Sequence, residues 1–135
     1  MKISIIGLGN MGGNHIRVLS EMEGIDLVAI SDVDEEKLKK LSKIFKIKSV
    51  YLDYKEMLQK EEIEGVVVAV PSNRHKEIVI DCLNKGLHVL VEKPISLTLE
   101  DAQIMIDTAK EKNLILTVGH TERFNPIISK IKELI

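Results

Sequence analysis

The sequence has no tryptophan, two tyrosines and two phenylalanines, so aromatics make up only 3% of its 135 residues. Platforms for stacking nucleic-acid bases are therefore scarce. Neither sign of charge prevails: 19 Lys and Arg stand against 21 Asp and Glu, for a net charge of -2. A nucleic-acid-binding domain should be clearly basic, so that class is set aside. Cys82 is the only cysteine, which rules out an intrachain disulfide and fits a reducing, cytoplasmic location. Long apolar runs are missing too. None approaches the roughly 18 residues of a membrane helix, and only four positions separate Lys2 from Gly7, too few for the apolar region of a signal peptide. No metal-ligand spacing is present. The expected partners are small molecules or other protein chains, not nucleic acid or membrane.

What remains is 44% hydrophobic, enough for a core, in a length that suits one domain. Short β-branched runs alternate with longer helical patterns. Strands are expected at residues 3–6, 27–30, 49–51, 66–70, 88–91 and 114–118. Most are continuous apolar runs, the mark of strands covered on both faces. Helices are expected from Met11 to about Met22, through Leu38, Leu41, Ile44 and Phe45 on one face, and from Glu77 to Lys85 with Gly86 as the terminating glycine. A further helix carries the stripe Leu99, Ala102, Met105, Ile106 and Ala109, with Thr98 as N-cap, and a short crossover spans residues 53–60. Strand-then-helix order repeated in this way predicts an α/β fold, a doubly wound parallel sheet of about six strands in a single domain over residues 1–135. Lysines 37, 39, 40, 43, 46 and 48 read as a solvated face.

The chemistry begins at Gly7-Leu8-Gly9-Asn10-Met11-Gly12, a G-x-G-x-x-G that follows a strand and opens a helix. Gly7 allows the tight turn, Gly9 lets backbone approach a pyrophosphate, and Gly12 lets helix and strand pack closely. The helix N-terminus offers free N–H groups and partial positive charge to phosphates. Asp32 ends the second strand, 20 residues past Gly12, where a carboxylate would bind the adenosine ribose hydroxyls. Asp32 or Asp34 could instead cap the second helix. Asp34 suits the cap better, which leaves Asp32 free for ribose. The acidic run Asp34-Glu35-Glu36 would repel a 2′-phosphate, so the expected cofactor is NAD rather than NADP.

Three more segments close the later strands: Val70-Pro71-Ser72-Asn73-Arg74-His75, Gly86-Leu87-His88-Val89-Leu90-Val91-Glu92-Lys93-Pro94, and Gly119-His120-Thr121-Glu122-Arg123-Phe124-Asn125-Pro126. With the glycine loop, this series resembles the Gfo/Idh/MocA family of oxidoreductases over essentially the whole chain. Glu-Lys-Pro is its most specific part. The resemblance implies a two-domain NAD(P)-dependent enzyme whose larger C-terminal half, absent from these residues, binds substrate and carries a catalytic aspartate and histidine. Lys93 would be the catalytic residue on this half and a cofactor contact near the nicotinamide, bonding the hydroxyl that is oxidised or assisting its proton transfer. Glu92 would face the nicotinamide end, and Pro94 would fix the turn as a cis peptide. Pro71, Ser72, Asn73 and His75 would border the cofactor, and Arg123 would reach the nicotinamide or substrate. His75 could otherwise cap its helix, and Arg123 could otherwise form an ion pair. His15 reads as structural, His88 as a satisfied core histidine and Cys82 as core. The segment from Gly119 to Pro126 looks like members acting on nucleotide-linked amino sugars.

Two functional classes follow. One is an oxidoreductase acting on a sugar, polyol or nucleotide-sugar carbinol, given a substrate domain. The other is a stand-alone NAD-binding module without turnover. The apolar residues Ile127, Ile128, Ile131, Leu134 and Ile135 would normally lead into the second domain, or here seal an oligomer interface, so a homo-oligomer is expected.

Overall fold

The computed structural model describes residues 1–135. Six strands, β1 (Lys2–Ile6), β2 (Asp26–Ser31), β3 (Ser49–Tyr51), β4 (Gly65–Val68), β5 (His88–Val91) and β6 (Leu116–Val118), form one parallel sheet in the order β3-β2-β1-β4-β5-β6. The helices are α1 (Asn10–Glu21), α2 (Glu35–Phe45), α3 (Tyr54–Lys60), α4 (His75–Asn84), α5 (Leu99–Glu111) and α6 (Pro126–Leu134). This is the doubly wound architecture expected. The order reverses beside β1, which places a crevice at the carboxyl ends of β1 and β4.

The sheet separates two cores. On one face Ile3, Ile5, Ile30 and Val67 pack with Ile16 of α1 and Leu38 of α2. On the other, Val66, Val68, Val89 and Val91 pack with α3, α4 and α5 through Met57, Val79, Leu83 and Met105. The alternation of Val66, Val67 and Val68 between faces explains why β4 is apolar at every position.

Helix ends follow local chemistry. Asp34, Asp53 and Thr98 each accept a backbone N–H as N-caps of α2, α3 and α5. Gly86 has φ +87°, and the N–H groups of Gly86 and Leu87 bond the carbonyls of Leu83 and Cys82, a Schellman termination of α4. Asn113, at φ 54°, ends α5 in the same way, and the Leu114 N–H bonds the Ala109 carbonyl. Leu114 is thus taken by the helix end, and β6 starts at Leu116 rather than at 114. Strand β4 stops at Val68, two residues short of expectation, where the chain turns toward Pro71. Two apolar positions leave their expected stripes: Ile44 is 57% exposed and Leu99, the first residue of α5, is 85% exposed. His88 is half-buried rather than core, and its Nδ1 accepts the Ile115 N–H. Lysines 37, 39, 40, 43, 46 and 48 are all exposed. No helix is long and apolar enough to cross a membrane.

Candidate functional site: a dinucleotide cleft at the carboxyl edge of the sheet

The glycine loop is held by its neighbours. Gly7 has φ +94° and its N–H donates to the Ser31 carbonyl at 2.8 Å. A Cβ there would lie 2.5 Å from the Ala69 carbonyl oxygen, and a Cβ on Gly12 would lie 2.0 Å from the Gly7 carbonyl oxygen. Both positions are closed to any side chain by backbone. Gly9 is the opposite case: a Cβ on it would meet nothing within 4 Å. Its open side lines a cleft of about 610 Å³. Gly9 is also the N-cap of α1, without a side-chain cap and with no acid in the first turn. The N–H groups of Asn10, Met11 and Gly12 have no intrahelical acceptor, so they and the helix dipole are available to a pyrophosphate.

Asp32 leaves β2 into the same cleft. Its carboxylate is not free, as the sequence suggested, but accepts two backbone N–H groups, Leu8 at 2.5 Å and Asp34 at 2.8 Å. It therefore ties the glycine loop to the end of β2. A carboxylate offers about four lone-pair positions, so it can still accept ribose hydroxyls. Asp34 is the cap expected, accepting the Lys37 N–H at 3.1 Å, and it also holds the Lys37 ammonium at 3.1 Å. That backbone bond and the paired ammonium keep the Asp34 carboxyl below its usual range, and the Asp34 carboxylate raises Lys37 in turn. Arg74, the other cation lining the cleft, is paired with Glu77 at 3.2 Å. Leu52, Tyr54, Val70, Pro71 and Ile78 supply apolar wall. Leu52 and Tyr54 were not singled out in the sequence, because their place in the cleft depends on β3 lying outside β2.

Gly7, Gly9, Asp32 and Pro71 thus meet in one cleft, and Asn10, Met11 and Gly12 stand at its helical rim. Ser72 is half-buried and Asn73 exposed in the single 3-10 turn before α4. Lys93 is exposed at the end of β5, next to β4 in the sheet, and the Lys93–Pro94 bond is cis. Arg123 is exposed in a 3-10 turn after β6 and makes no ion pair. Two residues differ from expectation. His75 is 1% exposed, with Nδ1 2.9 Å from the Pro94 carbonyl oxygen and Nε2 2.9 Å from that of Val70. Glu92 is 5% exposed and lies 2.7 Å from Nε2 of His15. The polar groups of both are already engaged, His75 with the carbonyls of Pro94 and Val70 and Glu92 with His15 of α1. His15 and Gly119, whose missing side chain leaves room for the Glu92 carboxylate, were not among the expected site residues.

Fold and cleft together define a Rossmann-type dinucleotide-binding domain. The family model for oxidoreductases with an NAD-binding Rossmann fold, Gfo/Idh/MocA, matches residues 1–120. The chain belongs to that family. It is 36% identical over 135 residues to myo-inositol 2-dehydrogenase of Thermotoga maritima, covering 100% of this chain and 40% of that protein. It is 34% identical over 134 residues to glucose-6-phosphate 3-dehydrogenase of Bacillus subtilis, covering 99% and 37%. The scyllo-inositol dehydrogenase of Lactobacillus casei, solved with NAD(H) and scyllo-inositol bound, superimposes with a TM-score of 0.92 at 29% identity, covering 99% of this chain and 40% of that one. The chain therefore spans about 40% of the length of such relatives.

Proposed function

We propose that this chain is the NAD(H)-binding half of a dehydrogenase that acts on the carbinol of a sugar, polyol or nucleotide-linked sugar. The observation that carries the reading is the open Gly9 above the uncapped N-terminus of α1, with the Asp32 carboxylate bonded to the same loop. The loop cradles a pyrophosphate, and Asp32 accepts from the ribose hydroxyls. NAD is favoured over NADP because both cations at the cleft are already paired, Lys37 with Asp34 and Arg74 with Glu77, leaving a carboxylate where a 2′-phosphate would stand. When bound, the nicotinamide supplies hydride exchange with the carbinol carbon. Lys93, free of side-chain partners at the neighbouring strand end, hydrogen-bonds the reacting hydroxyl and moves its proton. Pro71, Ser72 and Asn73 border the cofactor, and Arg123 reaches toward the nicotinamide or the substrate.

Calorimetry on the purified chain tests this directly. NADH should bind more tightly than NADPH; tighter NADPH binding would overturn the cofactor assignment. A module that binds NADH without turnover is the second reading. Lys93 is exposed on this chain, so a site formed by these residues alone stays wet and forgoes the fixed electrostatics of hydride transfer. Negligible polyol oxidation by these 135 residues alone is the expected result. We also propose that α6 packs against a second copy, because it buries none of its own residues while Ile127, Ile131 and Leu134 are 65%, 48% and 76% exposed.

A further inference from the structure

A lysine that must meet one hydroxyl needs its backbone fixed, yet Lys93 is exposed and its own side chain is held by nothing. The grip lies in its neighbours. On one side of the turn, the buried Glu92 carboxylate is 2.7 Å from Nε2 of His15, with its other oxygen 3.3 Å from the Lys93 N–H. A Cβ on Gly119 would come within 3.0 Å of that carboxylate, so the end of β6 leaves it room. On the other side, Nδ1 of the buried His75 is 2.9 Å from the Pro94 carbonyl oxygen and 3.3 Å from that of Ile95, while Nε2 reaches the Val70 carbonyl oxygen at 2.9 Å. His15 comes from α1, whose residues pack on one face of the sheet. His75 opens α4, which packs on the other. The turn is thus held from both layers, by the helix that receives the pyrophosphate and by the strand end that borders the cleft.

The geometry points to His15 and His75 as positioning residues for Lys93, His15 through the Glu92 carboxylate and His75 through an Nδ1–H donated to the Pro94 carbonyl. The inference rests on the reading of Lys93 given above. Both ring nitrogens face carbonyl oxygens, which only accept, so a neutral ring can donate at one end only, and the clamp requires that proton on Nδ1, toward Pro94. A histidine that held only the Val70 carbonyl would carry its proton on Nε2 instead.

Long-range nitrogen–proton spectra of the 15N-labelled chain read the ring directly. A protonated-type Nδ1 resonance for His75 is expected; a bare Nδ1 overturns the clamp. Two variants then separate the ends of the ring. His75→Asn keeps a donor near the Nδ1 position, toward Pro94, and His75→Gln keeps one near Nε2, toward Val70. In His75→Gln, backbone 15N relaxation should show Lys93 and Ile95 loosened. Affinity for NADH should fall roughly two- to tenfold, because binding must then order the turn beside the nicotinamide at a cost of about one neutral hydrogen bond, while affinity for ADP-ribose, which lacks the nicotinamide, stays unchanged. His75→Asn should restore both. On the other side, His15→Gln should keep the turn ordered and His15→Leu should not. Equal behaviour of the Asn and Gln variants, or Lys93 as rigid in His15→Leu as in the parent, would overturn the proposal. If the parent chain bound neither NADH nor ADP-ribose, the cofactor reading would fail. The relaxation and ring-nitrogen measurements need no ligand and would still decide the clamp.

Discussion

Asp32 has two tasks, and they are separable by substitution. Its carboxylate accepts the Leu8 and Asp34 N–H groups and still has lone pairs for a ribose. Asp32→Ala should weaken NADH binding by roughly tenfold to a hundredfold, the cost of about 1.5–3 kcal/mol for hydrogen bonds to a charged group. It should also lower the melting temperature, because two partly buried N–H groups lose their acceptor. Calorimetry and a thermal melt check the two effects; unchanged NADH affinity would remove Asp32 from the site. Spacing from the glycine loop made this residue legible. Its second task was not, because the bond to Leu8 spans 24 residues and requires β1 and β2 to be neighbours. Glu92 and His75 mark the same limit: the motif named them, but only the packed turn shows that their polar groups face inward. Cys82, read from its apolar neighbours as core, is 0% exposed, and its thiol is pushed up from 9.0 to about 12, first by burial and then by Asp81. Below pH 9 folded and unfolded chains both keep that proton. From pH 9 upward the unfolded chain ionises first, so stability falls by up to about 1.4 kcal/mol per pH unit until pH passes the folded value. Tyr54, raised by burial and by its bond to Asp81, adds loss of the same sign only above pH 10. Denaturant titrations between pH 8 and 10 should therefore show a downward slope that Cys82→Ala flattens.

At the scale of elements, the strands were legible because continuous apolar runs have one common explanation, burial between helices. Their ends were not, because turns claim residues of the same composition. Leu114 belongs to the termination of α5, and Val70 to the approach to Pro71. Within the glycine loop the three glycines differ in what they tolerate. Gly9→Val points its side chain into open cleft, so the fold should survive with a melting temperature near that of the parent, while NADH binding is lost. Gly12→Ala drives a methyl onto the Gly7 backbone, so α1 must shift off the loop and both stability and binding should fall. Paired melts and titrations distinguish them. Equal loss of stability in the two variants would show that Gly9 is structural.

For the whole molecule, the fold class was readable from the alternation of strand and helix, whereas the cover for α6 lies in no pattern within the chain. If a second copy supplies it, light scattering at micromolar concentration should report a species larger than the monomer, and Ile127→Glu with Ile131→Glu should return the monomer. A strict monomer in the parent chain would refute self-assembly. The two layers on either side of the sheet are also unequal. Sixteen buried residues form the core against α3, α4 and α5, and eight form the core against α1 and α2. The smaller layer carries the glycine loop and Asp32, while the larger lends the cleft its Tyr54 and Ile78 wall. Smaller layers of this kind open first in sub-global fluctuations. A cofactor present at a hundred times its dissociation constant adds about 2.7 kcal/mol to whatever state holds it. Ligation should thus raise by that amount every state that cannot hold the cofactor, so the α1–α2 layer stays closed until conditions in which the other layer is unstable too. The domain would then lose its structure in stages when empty and as a single cooperative unit when loaded.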